Sequence, residues 1–417
     1  MRLTNLALTN FRNYVRLDLP LPAGPVLLHG ANAQGKTTLL EAIYYLATSK
    51  SPHASSDRQL INWYANGPEN LVTVGRLTAV VQPAGDVRPR QLEIRLIQEP
   101  GGRRNGPSFR REVLVNGVKV RLMDLLGNLN VVLFLPEDVA LVSAPPSERR
   151  RYLDITLCQV DRRYCRTLSQ YNKVLSQRNA LLRALQERRG RPDELEPWNQ
   201  KLVELGAIIL LRRAALITEL ERRAGQIHFR DLTAGAESLR LLYRPRLQPN
   251  RNGRPSLLPP DALADPAGWL LESSATQVVE ALQEVVRAIR PQELQRGVTL
   301  LGPHRDDLRF LVNGRDLGDY GSRGQQRTAV LALKLAEMGW METQSGEQPV
   351  LLLDEVLAEL DHNRRAYLLQ CIGAAEQAIL TATDPTMFTG SFLARATRLE
   401  VAGGQITVAR PENNFAF

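Results

Sequence analysis

The sequence predicts an α/β fold in which a phosphate-binding loop and an acidic strand end come from opposite ends of the chain, with a helical arm inserted between them. Three observations carry that expectation. The first is Gly30-Ala31-Asn32-Ala33-Gln34-Gly35-Lys36-Thr37, which follows the apolar run Val26-Leu27-Leu28 and opens a segment, Lys36 to Thr48, with apolar residues at helical spacing. Strand, glycine loop and helix, in that order, are the context a phosphate loop requires. The second is Val350-Leu351-Leu352-Leu353-Asp354-Glu355, a continuous apolar run ending in two carboxylates, as a buried parallel strand does when its C-terminal edge faces a ligand. The third is a change to helical character from Ser147 onward. The expected division is 1–146, with the phosphate loop, 147–295, helical, and 296–417, with the acidic strand.

Composition bounds the classes of function. A chain of 417 residues can hold two or three domains. Apolar content of 43% with 23% charged residues is the balance of a soluble globular protein. No apolar run approaches the 18 or more residues of a membrane span, and the opening Met1-Arg2-Leu3-Thr4-Asn5 lacks the apolar core of a signal peptide. A cytoplasmic location with no membrane partner is therefore expected. Cys158, Cys165 and Cys371 show no metal or redox spacing, and their odd count argues against a disulfide framework. The excess of 53 Lys and Arg over 44 Asp and Glu points to a polyanionic partner. Because only six of those cations are lysine, compositional bias toward arginine explains the excess equally well.

Residues 2 to 9 alternate apolar and polar as a strand does and end in Asn10-Phe11-Arg12-Asn13-Tyr14. In the phosphate loop, glycines let the backbone wrap an anion, while N–H groups and the dipole at the helix start favour negative charge. Lys36 would reach the β and γ phosphates and Thr37 would ligate Mg2+; a glycine turn that only caps a helix is the plainer alternative. Beyond the polar turn Ser49 to Asp57 come strand-like runs near Leu71 to Val81, Gln91 to Ile97 and Val113 to Val120. Gly101 to Pro107 forms a loop tip between two of them, and its Arg103 and Arg104 offer DNA phosphate contacts, although a solvated loop reads the same way.

Arg162 to Arg191 and Trp198 to Arg223 carry helical patterns separated by Pro192 and Pro197. Together they make a helical hairpin on the order of 35 Å long at 1.5 Å rise per residue. Residues 161 to 191 hold nine basic against two acidic residues, so Arg162, Arg163 and Arg166 are candidates for DNA contact, against the alternative of a solvated helix face. Arg244 to Gly268 holds six prolines and is expected to be a loop. A helix from about Ser274 to Ile289 and a strand-rich segment from Val298 to Val312 follow.

Asp354 at the acidic strand end suits the Mg2+ shell, and Glu355 suits a general base that polarises the attacking water. A further motif, Tyr320-Gly321-Ser322-Arg323-Gly324-Gln325-Gln326-Arg327, opens an amphipathic helix and makes a second anion-binding helix start, this one without a lysine. Two such sites and one complete pocket imply a composite arrangement, in which Ser322 and Gly324 of one copy cap the γ phosphate held by Lys36 of another.

These residues resemble the ABC-type ATPase heads of the SMC, Rad50 and RecF group. The phosphate loop, the signature Gly321 to Gln326, the acidic strand end and Ala358-Glu359-Leu360-Asp361 come in that group's order, with about 315 residues between the first and the third. SMC and Rad50 proteins insert hundreds of coiled-coil residues between the two head parts. The insertion here is about 150, which is similar to the RecF family. Leu39-Leu40-Glu41-Ala42-Ile43, Leu135-Pro136-Glu137-Asp138, Arg149-Arg150-Arg151-Tyr152-Leu153-Asp154, Asn172 to Asn179 and Gly302-Pro303-His304-Arg305-Asp306-Asp307-Leu308 resemble that family too.

The resemblance implies an ATP-dependent, Mg2+-requiring DNA-binding protein of recombinational repair and replication. It would dimerise on ATP, act on double-stranded DNA and single-strand/double-strand junctions, and hydrolyse ATP weakly under DNA stimulation, with RecR and RecO as partners in loading recombinase. Nucleotide contacts from Thr38, Arg12, Asn13, Gln325 and Asp361, and a role for His304 near the dimer interface, are implied in the same way. Ala33 stands where the family often has glycine, and Ala358 replaces a frequent serine. At Leu380-Thr381-Ala382-Thr383-Asp384 no histidine is present to sense the γ phosphate, so Thr383 or Asp384 would have to serve. The competing expectations are a binding switch whose turnover is incidental, an SMC/Rad50-like chromosome protein, and a transporter ATPase subunit, which the basic arm and the missing coupling segment disfavour.

Overall fold

The computed structural model describes residues 1–65, 72–85, 87–100, 108–247, 262 and 264–408. The loop 101–107, with Arg103 and Arg104, and most of the proline-rich segment lie outside the described residues.

In chain order the first elements are strands β1 (Arg2–Phe11), β2 (Tyr14–Pro20) and β3 (Gly24–His29), helix α1 (Lys36–Thr48), and strands β4 (Thr73–Gln82), β5 (Arg90–Glu99), β6 (Ser108–Val115), β7 (Val118–Val120) and β8 (Val131–Phe134). Helices α2 (Pro146–Val160), α3 (Arg162–Gln186) and α4 (Glu196–Gln226), strand β9 (Leu239–Arg244), helix α5 (Ala275–Arg296), strands β10 (Asp307–Val312) and β11 (Arg315–Asp316), and helix α6 (Arg323–Ser345) come next. The chain ends with β12 (Val350–Asp354), α7 (His362–Ala374), β13 (Gln377–Ala382), β14 (Thr397–Ala402) and β15 (Gln405–Val408).

Two compact units result, one of residues 1–138 and 337–417 and one of residues 139–336. The second boundary falls inside α6, not at 295/296. The reason lies in strand pairing: β10 lies antiparallel to β9, Leu308 opposite Tyr243 and Phe310 opposite Leu241, which draws the strand-rich segment after residue 298 into the inserted unit. That unit is consequently not purely helical.

The first unit contains two six-stranded sheets. In the antiparallel sheet the order is β2-β1-β4-β5-β6-β7, and in the other it is β15-β14-β3-β13-β12-β8. In the second sheet β14, β3, β13, β12 and β8 run parallel. Strand β12 is buried along its whole length, which accounts for its unbroken apolar sequence. Leu6, Leu8 and Phe11 of β1, Leu39, Leu40, Ile43 and Leu46 of α1, and Val26, Leu352 and Ile379 of the parallel sheet belong to one core.

In the inserted unit the helices of the hairpin are 25 and 31 residues long. Tyr164, Tyr171, Val174 and Leu182 of α3 are buried, as are Leu202, Ile209, Leu210, Ile217 and Leu220 of α4 and Val278, Leu282, Val285 and Ile289 of α5. Arg178 and Arg213 are internal. Arg178 donates to Asn199 Oδ1 (2.9 Å), Thr299 Oγ1 (2.7 Å) and Glu293 Oε2 (2.5 Å). Arg213 donates to Asp154 Oδ1 (2.8 Å), Asp306 Oδ2 (3.1 Å) and Pro303 O (2.6 Å). A buried guanidinium needs several acceptors at once; Arg178 finds them on α4, α5 and Thr299, and Arg213 on α2 and the Pro303 to Asp306 turn. Among the described residues no helix is long and apolar enough to cross a membrane.

Candidate functional site

The phosphate loop leaves β3 at its C-terminal end, and its shape depends on two glycines. Gly30 has φ +148°, and a Cβ there would lie 2.3 Å from the Val401 carbonyl oxygen. Gly35 has φ +116°, and a Cβ would lie 2.6 Å from Asn13 Nδ2. Neither position tolerates a side chain. The loop is braced on both flanks. Tyr14 Oη donates to Gly35 O (3.0 Å) and Asn13 Nδ2 to Gln34 O (3.2 Å), while the Gly403 N–H donates to Gln34 Oε1 (2.7 Å). Gln34 thus directs its side chain to the turn between β14 and β15.

Lys36 is 4% exposed. Its Nζ donates to Gly30 O (2.7 Å) and Ala31 O (3.0 Å) and lies 3.3 Å from Glu355 Oε1. Thr37 Oγ1 donates to Asp354 Oδ1 at 3.1 Å. Sheet register sets the next contact: Asp354 is opposite Thr381 of β13, and Thr381 Oγ1 donates to Asp354 Oδ1 at 2.6 Å while accepting from the Glu355 N–H at 3.0 Å. One hydroxyl therefore holds the Asp354 carboxylate and the backbone of Glu355. Glu355 adopts φ +50°, a conformation costly for a non-glycine residue and characteristic of functional positions. It separates the two carboxylates, Asp354 toward Thr37 and Glu355 toward Lys36.

These groups line a cleft of about 690 Å³ together with Arg12, Asn13, Asn32, Ala33, Gly35 and Thr38. A hydroxyl and a carboxylate side by side fit Mg2+, which takes one or two protein oxygens and keeps the rest of its shell for water and phosphate.

Arg12 is fixed by a two-pronged pair with Glu41, Nε to Oε2 at 2.9 Å and Nη2 to Oε1 at 2.8 Å. Glu41, buried in α1, also accepts from Ser51 Oγ. Sequence reasoning missed Glu41, though a carboxylate inside an apolar helical run requires a cationic partner. It also missed Thr381, Trp63, Tyr64 and Glu137, all of them in or beside the cleft. Thr383 and Asp384 are exposed, and Asp384 Oδ1 accepts from the Thr386 N–H (2.8 Å); the β13 residue that touches the acid pair is Thr381.

The remaining predicted residues lie elsewhere. Asp361 caps α7, accepting from Arg364 N at 3.0 Å, and does not line the cleft. In the inserted unit, Ser322 Oγ accepts from Gln325 N (3.2 Å) and Gln325 Oε1 from Ser322 N (3.0 Å), a reciprocal cap at the start of α6. Gln325 Nε2 also donates to Glu237 Oε1 (2.8 Å). Gly324 lies in the first turn of α6. Arg162, Arg163 and Arg166 are exposed in the first turns of α3, whereas Arg178 of the same charge run is internal. His304 is largely buried against Tyr171.

Residues 2–402 match the family model for the RecF/RecN/SMC N terminal domain. A DNA replication and repair protein RecF from Chloroflexus aurantiacus is 45% identical over 412 residues, covering 97% of this chain and 99% of the relative. Another from Geobacillus kaustophilus is 37% identical over 410 residues, covering 98% and 99%. Among solved structures, the recombination mediator protein RecF-ATPrS in the RecFOR pathway matches with a TM-score of 0.80 at 29% identity over 98% of each chain. An Smc head bound to the C-winged helix domain of ScpA matches with a TM-score of 0.51 at 15% identity, covering 99% of this chain and 98% of that one, a likeness of fold.

Proposed function

The chain belongs to the RecF family of the RecF/RecN/SMC group, and from that premise we propose that it is an ATP-dependent DNA-binding protein of recombinational repair and replication. It dimerises on ATP, binds double-stranded DNA or single-strand/double-strand junctions, hydrolyses ATP slowly and helps load recombinase at gaps, with RecR and RecO as partners. The observation that carries the nucleotide reading is the convergence of Lys36, Thr37, Asp354 and Glu355 at the carboxyl ends of β3 and β12, where parallel sheets bind ligands. The solved RecF-ATPrS and RecF-ATP structures support ATP as the nucleotide.

Lys36 neutralises the β and γ phosphates, Thr37 and Asp354 hold Mg2+, and Glu355 takes the proton of the attacking water. When bound, Mg2+ offsets the charge that develops on the phosphate oxygens. Ser322 and Gly324 of a second copy close the site. DNA affinity comes from arginine to phosphate contacts and so depends on salt more than on sequence.

Gel filtration of Glu355→Gln with and without ATP and duplex DNA tests the reading. The variant should be monomeric without nucleotide, dimeric with ATP, and retained on DNA as a dimer. A variant that stays monomeric with ATP defeats the composite site. One observation favours the switch reading, in which turnover is incidental: the residues after β13, Thr383 and Asp384, are turned to solvent and to a local cap. Cells that carry Glu355→Gln separate the two, since a switch retains repair and a turnover-dependent protein loses it.

A further inference from the structure

One wall of the cleft is not used by the phosphate chemistry. Trp63 and Tyr64 line the same cleft as Arg12, Asn13 and Lys36, yet they are 78% and 95% exposed. Their turn is nevertheless anchored. Ile61 bridges to Phe11, Asn62 is 2% exposed, the Asn62 N–H donates to Asn10 O (3.0 Å), and the Tyr64 N–H donates to Asn62 Oδ1 (2.8 Å). A pinned backbone thus holds two exposed aromatic side chains, adjacent in sequence, at the lining of a polar cleft.

We propose that Trp63 and Tyr64 form the stacking platform for the purine base of the nucleoside triphosphate whose phosphates Gly30 to Thr37 hold; this rests on the phosphate-loop reading above. Continuity identifies the occupant. Both features line one cleft of about 690 Å³, a volume in the range of small-molecule sites, and of the lining outside the phosphate loop Trp63 and Tyr64 offer the largest aromatic faces to the base of a nucleotide anchored at Lys36. Aromatic faces bind bases by overlap, so a purine gains more than a pyrimidine. Arg12, fixed by Glu41, adds a guanidinium to the lining of the same cleft.

The test is calorimetric binding of Mg-ATP, Mg-CTP and Mg-tripolyphosphate to the full-length protein and to a Trp63→Ala, Tyr64→Ala double variant. The native protein should bind ATP about tenfold more tightly than tripolyphosphate, with CTP between them. The double variant should lose about tenfold for ATP, keep its affinity for tripolyphosphate, and melt as the native protein does, because both side chains are exposed. Trp63→Phe should keep the ATP preference and abolish nucleotide quenching of that tryptophan's fluorescence. A double variant that binds ATP within twofold of native, or that loses tripolyphosphate equally, overturns the platform. So does one that keeps ATP affinity and loses only ATP-dependent dimerisation, which would make the rings a contact for a second copy. A native protein that binds tripolyphosphate without preferring ATP refutes the base site and leaves the phosphate loop standing; one that binds neither refutes both.

Discussion

Ala33 is the residue of the phosphate loop whose side chain opposes its backbone. Its φ of +63° costs a non-glycine residue about 1–2 kcal/mol, part of which glycine would return as lost chain entropy. Ala33→Gly should therefore stabilise the fold by up to about 1 kcal/mol in thermal melts and leave ATP affinity unchanged. His304 supplies a pH dependence. Tyr171 Oη lies 2.7 Å from Nδ1, and Nε2 lies 3.4 Å from Thr299 O. A carbonyl can only accept, so Nε2 carries a proton. Burial pushes the pKa down to about 4, while the unfolded chain protonates near 6.5. The unfolded state thus binds more protons between these values, and stability rises with pH across that window. The contribution is complete above pH 6.5 and is lost as pH falls toward 4. Denaturant titrations of His304→Gln should show a shallower loss of stability than native between pH 6.5 and 5, by roughly 2 kcal/mol at most. Identical slopes would remove His304 from the account.

At the scale of elements, α3 shows why a charge count misleads. The net charge read from residues 161 to 191 includes Arg178, which is fully buried against Glu293 and cannot meet DNA. Arg162, Arg163 and Arg166 are exposed in the first turns of the same helix and are the part of the run proposed to meet phosphate. Replacing the three with Ala should lower the slope of log affinity against log salt by up to about 3 on duplex DNA, roughly one for each phosphate that an arginine no longer neutralises. A slope equal to native would place the DNA site elsewhere. Strand β13 makes the complementary point: its sequence carries no ligand signature, yet its register alone sets Thr381 against Asp354.

At the scale of the whole molecule, ATP should report whether two copies have met. Ser322 and Gly324 start α6 in the unit of residues 139–336, and Lys36 and Glu355 belong to the other unit. On the proposed composite site, Ser322→Arg should bind ATP with near-native affinity and remain monomeric in sedimentation with ATP, because the added bulk and charge would block a helix start proposed to cap the γ phosphate of a second copy. ATP-dependent dimers of that variant would exclude the signature from the closing contacts.

Strand, loop and helix order, the parallel strand β12, the hairpin of α3 and α4, and the identities of Lys36, Thr37, Asp354 and Glu355 were legible in the sequence, because periodicity and motif spacing are local properties of the chain. Gly30 and Gly35 were legible for the same reason, since loop chemistry requires them in place. Only tertiary structure decided that residues after 298 join the inserted unit, that Arg178 and Arg213 are spent inside it, that Glu41 steers Arg12, and that Trp63 and Tyr64 face the cleft. Each of these depends on a partner far along the chain, as the pairing of Thr37 with Asp354 does across 317 residues. Burial and register, which choose such partners, are set by the packing of the whole sheet and not by any stretch of sequence.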